Sequence, residues 1–260
     1  MQPLAGKRIL VTRARHQASQ LTKELEARGA EVIEIPAIEI QPPESYKPLD
    51  QALQDLQQYQ WLIVTSFNTV DALRSRITAA GIRSNAFSHL QIAAVGAATA
   101  QALAEMGLQT SVIPKEYVAE SLLKDLGNRL SGKRVLIARS AIARDIIPEA
   151  LIRAGAIVNA VDAYRTVIPQ KSIRKIAELF SGRNLIPDAV TFTSVSTVTN
   201  FFHLLESANI QQVPPSMQAI SIGPITSQAL RGHRWEPAAE ANPHDINGLA
   251  AAVVQALAAL

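Results

Sequence analysis

The stretch GKRILVTR, Gly6 to Arg13, returns as GKRVLIAR from Gly132 to Arg139. That return constrains the fold more than composition does, because a unit written twice must be packed twice. At an offset of 126 positions (132 minus 6), Gly6, Lys7, Arg8, Leu10, Arg13, Leu25, Gly29, Ala30 and Val32 each meet an identical residue. The ungapped match ends at Pro43 against Pro169, so a whole strand, helix, strand and exit are duplicated. WLIVTSFNTVDAL from Trp61 then aligns with AVTFTSVSTVTNF from Ala189 at offset 128, and AVGAATAQAL from Ala94 with SIGPITSQAL from Ser221 at offset 127. AESLLKDL from Ala119 and INGLAAAV from Ile246, again 127 apart, read as closing helices. The chain is one half-sequence written twice.

Within each half, short β-branched runs alternate with apolar stripes at helical spacing. RILVT, EVIEIP, WLIVTS, IAAVG and SVIPK are the strand candidates of the first half. RVLIAR, IVNAV, AVTFTS, AISIG and a weak stretch near Trp235 are their counterparts. Near-continuous apolar strands between helices predict parallel sheets covered on both faces, with right-handed crossovers. Each half therefore reads as a flavodoxin-like, three-layer α/β unit, and 260 residues suffice for two such cores. Between the second and third strands lie PAIEIQPP from Pro36 and DAYRTVIP from Asp162, both alternating as strands do. The two are expected to pair as a β-ladder bridging two domains, with a cleft between the domains.

In an open α/β sheet, ligands bind beyond the carboxyl ends of the strands, where helix N-termini offer free amides. Those points are Thr12 and Arg13; Thr65 and Ser66; Gly96 to Thr99; Arg139 and Ser140; Thr193, Ser194 and Ser196; and Gly223 to Thr226. Each hydroxyl alone is equally well read as an ordinary helix cap. The same chemistry at the same turns of both halves suits a ligand carrying many carboxylates. Arg13 and Arg139, at equivalent repeat positions, are carboxylate ligands on the sharp reading and solvated loop charges on the bland one. Tyr164 meets Ile38 across the repeat. It is either a packed interdomain tyrosine or a hydrogen-bond donor able to assist departure of a hydroxyl group.

Other chemistries find little support. The charge of +3 comes without clustered Lys and Arg or interleaved aromatics, so no nucleic-acid partner is expected. There is no cysteine, and the five histidines show no ligand spacing, so neither metal nor cofactor is expected. No dinucleotide, P-loop or nucleophile-elbow motif occurs, and acids are nearly absent from the strand ends. The opening MQPLAGKRILVT runs straight into a strand pattern and no run of about 18 apolar residues follows, so a cytoplasmic protein without a membrane partner is expected.

GKRILVTRARHQASQL, VTSFNTVDAL, AAVGAATAQAL, DAYRTV, VTFTSVSTVTNF and SIGPITSQAL, taken together and in order, resemble the uroporphyrinogen-III synthase family over essentially the whole chain. The resemblance implies a cofactor-free cyclising hydro-lyase that converts hydroxymethylbilane to uroporphyrinogen III, inverting the last pyrrole ring through a spiro intermediate. It also implies a segment swap. Residues 1–36 with 169–260 would form one domain and 43–161 the other, with 37–42 and 162–168 as the bridging ladder. On that resemblance Tyr164 assists the leaving hydroxyl. Arg13, Thr65, Ser66, Thr99, Arg139, Thr193, Ser194, Ser196 and Thr226 line the substrate site. Where the family often has two threonines after Gly-Pro, this chain has Ile225 and Thr226. A monomer is expected, with transient contact to the upstream hydroxymethylbilane synthase. The alternatives are a non-catalytic tetrapyrrole or polyanion-binding protein of the same fold and a two-domain receptor of periplasmic type.

Overall fold

A computed structural model describes residues 2–13, 15–114, 119–143, 145–182 and 186–258. The chain opens with β1 (Arg8–Val11), α1 (Arg15–Glu26) and β2 (Glu31–Glu34). Next come β3 (Glu39–Gln41), α2 (Lys47–Gln54), β4 (Trp61–Val64), α3 (Phe67–Ala79), β5 (Gln91–Ala94) and α4 (Ala97–Ala104). They are followed by α5 (Ala119–Leu126), β6 (Arg134–Ser140), α6 (Ile146–Arg153) and the long β7 (Ile157–Val167). The remainder is α7 (Gln170–Ser181), β8 (Ala189–Phe192), α8 (Val195–Ser207), β9 (Gln218–Ser221), α9 (Pro224–Gly232), β10 (Ala239–Glu240) and α10 (Ile246–Ala258).

Two compact units result, Met1–Glu39 with Val167–Leu260, and Ile40–Thr166. The division falls inside the two stretches read above as a bridge. In the first unit the strands stand in the order β2-β1-β8-β9-β10, every neighbouring pair parallel. In the second the order is β3-β7-β6-β4-β5, with β7, β6, β4 and β5 mutually parallel. The opening β1-α1-β2 thus belongs to the sheet of the C-terminal strands, and its repeat β6-α6-β7 to the sheet of β4 and β5.

Strand pleating explains the near-continuous apolar runs. Successive side chains point to opposite faces, so a strand covered on both sides must be apolar at every position. On β4, Leu62 and Val64 join one core cluster of the second unit, while Trp61 and Ile63 join the other. Likewise Leu136 and Ala138 of β6 face the first cluster, and Val135 and Ile137 the second. In the first unit Ile9 and Val11 of β1 enter one core and Leu10 the other. Each unit is therefore a sheet between two helical layers.

Three expectations need correction. IVNAV and DAYRTV are one uninterrupted strand, β7, rather than a strand plus a separate extended stretch. SVIPK reduces to a single parallel bridge, Val112 to Ala93, and its Lys115 lies outside the described residues. The edge strand expected near Trp235 lies at Ala239–Glu240 instead. Trp235 packs against Phe192, Phe201 and Phe202, because burying so large an aromatic outweighs placing it on a short edge. Among the described residues, no helix is long and apolar enough to cross a membrane.

Candidate active site

In the second unit, three turns at the carboxyl ends of β4, β5 and β6 carry the expected residues. After β4, Ser66 takes extended backbone angles and its Oγ accepts from the Thr69 amide at 3.2 Å, capping α3. Its Oγ also lies 3.0 Å from Thr69 Oγ1 and 3.2 Å from the Tyr164 hydroxyl. Tyr164 reaches the cap from β7, where the ladder to β6 slips by one residue between Arg139 and Ser140. That slip sets Tyr164 opposite Ser140, and the Ala141 amide donates to the Tyr164 carbonyl at 2.8 Å. The structure thus brings Tyr164, Thr65 and Ser66 to one helix N-terminus. Arg139 stands on the neighbouring strand, held by Asp145 at 2.7 Å, with its Nε buried and making no hydrogen bond among the described residues.

The first unit repeats the arrangement with different side chains. Ser194 caps α8 in a reciprocal box: its Oγ accepts from the Thr197 amide at 3.2 Å, while Thr197 Oγ1 accepts from the Ser194 amide at 3.1 Å. Ser196 Oγ lies 2.9 Å from Ser194 Oγ. Beside this cap is a cavity of about 110 Å3, lined among others by Thr12, Arg13, Ile38, Thr193, Ser194 and Ser196. Burial pushes the Arg13 guanidinium below its ordinary pKa, yet an arginine stays charged in any accessible pH range. The Thr12 hydroxyl is buried and makes no hydrogen bond among the described residues. Thr12 stands just past the end of β1 and directly before Arg13, a place in the sequence that marks it beside the arginine.

Thr99 and Thr226 differ from the expectation. Both are buried, and the Thr99 hydroxyl donates to the Val95 carbonyl at 3.2 Å. A hydroxyl satisfied by the carbonyl just before its own helix offers little to a ligand, so the backbone of that turn is the part left available. At the start of α9 both Pro224 and the larger Ile225 are exposed. The glycines before these helices serve different needs. Gly96 has φ +103°, a conformation that favours glycine, whereas Gly223 is extended at φ 172°. A Cβ on Gly223 would stand 3.3 Å from the His244 ring, so close approach keeps it small.

Electrostatically, α3, α4, α8 and α9 carry no acidic residue in their first turns, the place where a helix dipole most favours one. Ser227 Oγ in the first turn of α9 already donates to Glu240, so among the described residues it is the ends of α3, α4 and α8 that are left without a side-chain carboxylate, which suits them to a polyacid. Among the described residues, no three His, Asp or Glu side chains cluster as a metal site.

Comparison with known proteins points in one direction. The profile of the family described as uroporphyrinogen-III synthase HemD matches residues 19–251. A uroporphyrinogen-III synthase of Synechococcus elongatus is 38% identical over 98% of this chain and 97% of its own length. A porphyrin biosynthesis protein HemD of Ruminiclostridium josui is 30% identical over 88% of this chain but only 44% of its own. Among solved structures, a mutant uroporphyrinogen III synthase of Thermus thermophilus superposes with a TM-score of 0.71, covering 98% of this chain and all of that one. At 20% identity that likeness speaks for the fold alone.

Proposed function

Because the chain belongs to the uroporphyrinogen-III synthase family, we propose that it closes hydroxymethylbilane to uroporphyrinogen III with loss of water. The observation that carries this reading is a match to a synthase of that name along nearly the full length of both chains. The reaction loses water: the hydroxyl leaves the hydroxymethyl carbon with an added proton, the ring nitrogen gives up its own, and an electrophilic azafulvene remains. Left in water, that carbon closes onto the free position of the last pyrrole and gives the uninverted isomer. The protein directs attack by the already substituted carbon of that ring; the spiro intermediate then reopens and recloses inverted. No electrons change hands, so the task is positioning and exclusion of water.

Tyr164 is the group that assists the departing hydroxyl, supported by its place against a helix N-terminus. In this reading Ser66 Oγ, which accepts from the Thr69 amide, turns its own proton to the Tyr164 oxygen 3.2 Å away while Thr69 Oγ1 donates to Ser66. The phenolic proton is then free for the leaving group, and the positive helix end favours charge drawn onto the phenol. Arg13, Arg139, Thr65, Ser66, Thr193, Ser194 and Ser196, with the amides of the turns at Thr99 and Thr226, take the acetate and propionate arms. The buried Thr12 hydroxyl, beside the cavity, joins them.

In this reading each unit is a flavodoxin-like domain, which the doubly wound order β2-β1-β8-β9-β10 supports. The domains are 1–36 with 169–260, and 43–161, connected by 37–42 and 162–168. The protein works as a cytoplasmic monomer fed by transient contact with hydroxymethylbilane synthase. Purified protein given freshly made hydroxymethylbilane should yield the type III isomer, separated from type I by chromatography after oxidation. Type I alone would overturn the proposal, and binding without turnover would leave a tetrapyrrole-binding protein of the same fold.

A further inference from the structure

Large apolar side chains are not scattered evenly over the surface. Seven are exposed among the described residues, and five of them (Phe67, Ile113, Ile142, Val195 and Ile225) follow the carboxyl ends of parallel strands. Isolated exposed hydrophobes need no explanation, but a concentration at the ligand-binding ends of sheets does. Phe67 and Val195 make the pattern sharper. They stand 128 positions apart at equivalent points of the repeat, each the first helical residue after its capping serine. They are 43% and 41% exposed. Neither helix needs them for packing, since α3 buries Thr69, Val70, Leu73 and Ile77, and α8 buries Val198, Phe201, Leu204 and Leu205.

We propose that Phe67 and Val195, aided by Ile142 and Ile225, bear the flat apolar faces of the substrate's pyrrole rings. The inference rests on the synthase reading and assigns it a second set of contacts. A pyrrole of this substrate is amphipathic: the ring is apolar on both faces, and its acid arms leave from the edge. A cap of donors followed at once by an apolar side chain offers the matching pair of surfaces, amides for the acid and a hydrocarbon for the ring. Ile225, 72% exposed at the start of α9, extends the same logic. Phe67 and Val195 are positioning residues in this scheme, touching rings rather than the reacting carbon.

The test compares Phe67→Ser, Phe67→Leu and Val195→Ser with the unaltered protein. Calorimetry under anaerobic reducing conditions gives the Kd for uroporphyrinogen III, steady-state assay gives KM and kcat for hydroxymethylbilane, and thermal melting reports the caps. Ring contact predicts that Phe67→Ser weakens binding about tenfold and Val195→Ser about threefold. Phe67→Leu should stay within about twofold of the unaltered protein, because an aliphatic surface still meets the ring. KM should rise with Kd while the melting temperature holds. Unchanged Kd in both serine variants would overturn the proposal, and so would a loss of affinity that comes with a lowered melting temperature. Failure of the unaltered protein to bind uroporphyrinogen or turn over hydroxymethylbilane would sink the synthase reading itself.

Discussion

The two units use one repeated sequence to build two different sites. Behind the β4–α3 turn of the second unit stands Tyr164, whose hydroxyl meets the helix cap at 3.2 Å. At the equivalent point of the first unit stands Ile38, beside a cavity of about 110 Å3, and the cap serine turns to Ser196. The matched arginines differ too: Arg139 is paired with Asp145, whereas Arg13 lines that cavity beside a buried threonine hydroxyl. Duplication supplied the caps and turns to both halves. Substitution then gave one half a tyrosine hydroxyl at the cap and the other a small cavity.

The largest effect should come from removing what only the second unit has. Tyr164→Phe is expected to lower kcat by about a hundredfold, the range of hydrogen-bond and acid assistance. It should change stability by about 1 kcal/mol or less, read from urea midpoints beside the rate of hydroxymethylbilane loss. A smaller effect separates the caps. Ser66→Ala and Ser194→Ala should each cost about 1 kcal/mol of stability. Only Ser66→Ala should also lower kcat, by about fivefold, because Tyr164 loses its partner there, whereas Ser194→Ala should act on KM alone. Equal rates in the two variants would break the comparison.

The glycines sharpen it further. Gly96→Ala forces an L side chain into φ +103° and should cost about 1–2 kcal/mol. Gly223→Ala, extended and facing the exposed His244 ring, should cost about 0.5 kcal/mol as the ring moves aside. Melting temperatures decide the order. Smallest of all is an acid effect confined to the first unit. Arg231 hydrogen-bonds Glu236 and holds that carboxyl below the usual range. The counterparts in the second unit, 127 positions earlier, are Ala104 and Gln109. A lowered folded-state value means stability present above the unfolded value and lost as pH falls through the folded one. Glu236→Gln should therefore shift the urea midpoint slightly at pH 7 and progressively less as the pH falls through the acid range. Solvent exposure of both partners and screening keep the shift small.

Much of this was legible before any coordinates. Period-2 and helical patterns located the strands, because an apolar run of four between helices has few alternatives to a covered parallel strand. Ser66 and Ser194 were readable as caps from their place between strand and helix. Of the edge strands, β3 lies inside the alternating stretch PAIEIQPP, whereas β10 was located only loosely, since two residues carry no periodicity to find. Nor could the burial of the Thr99 hydroxyl be foreseen, because its carbonyl partner, Val95, is set by where the helix begins.

The sequence by itself determined that there are two copies of one α/β plan, where their ligand-facing turns fall, and that a single tyrosine breaks the symmetry. Tertiary structure alone decided which copy of the opening unit joins which sheet. The two copies share their apolar pattern and so are interchangeable as far as local propensity goes; only packing of distant strands distinguishes them. It also decided that Tyr164 meets Ser66, 98 residues away in the chain. Contacts of that span are fixed by sheet order and strand register, which short-range pattern does not encode.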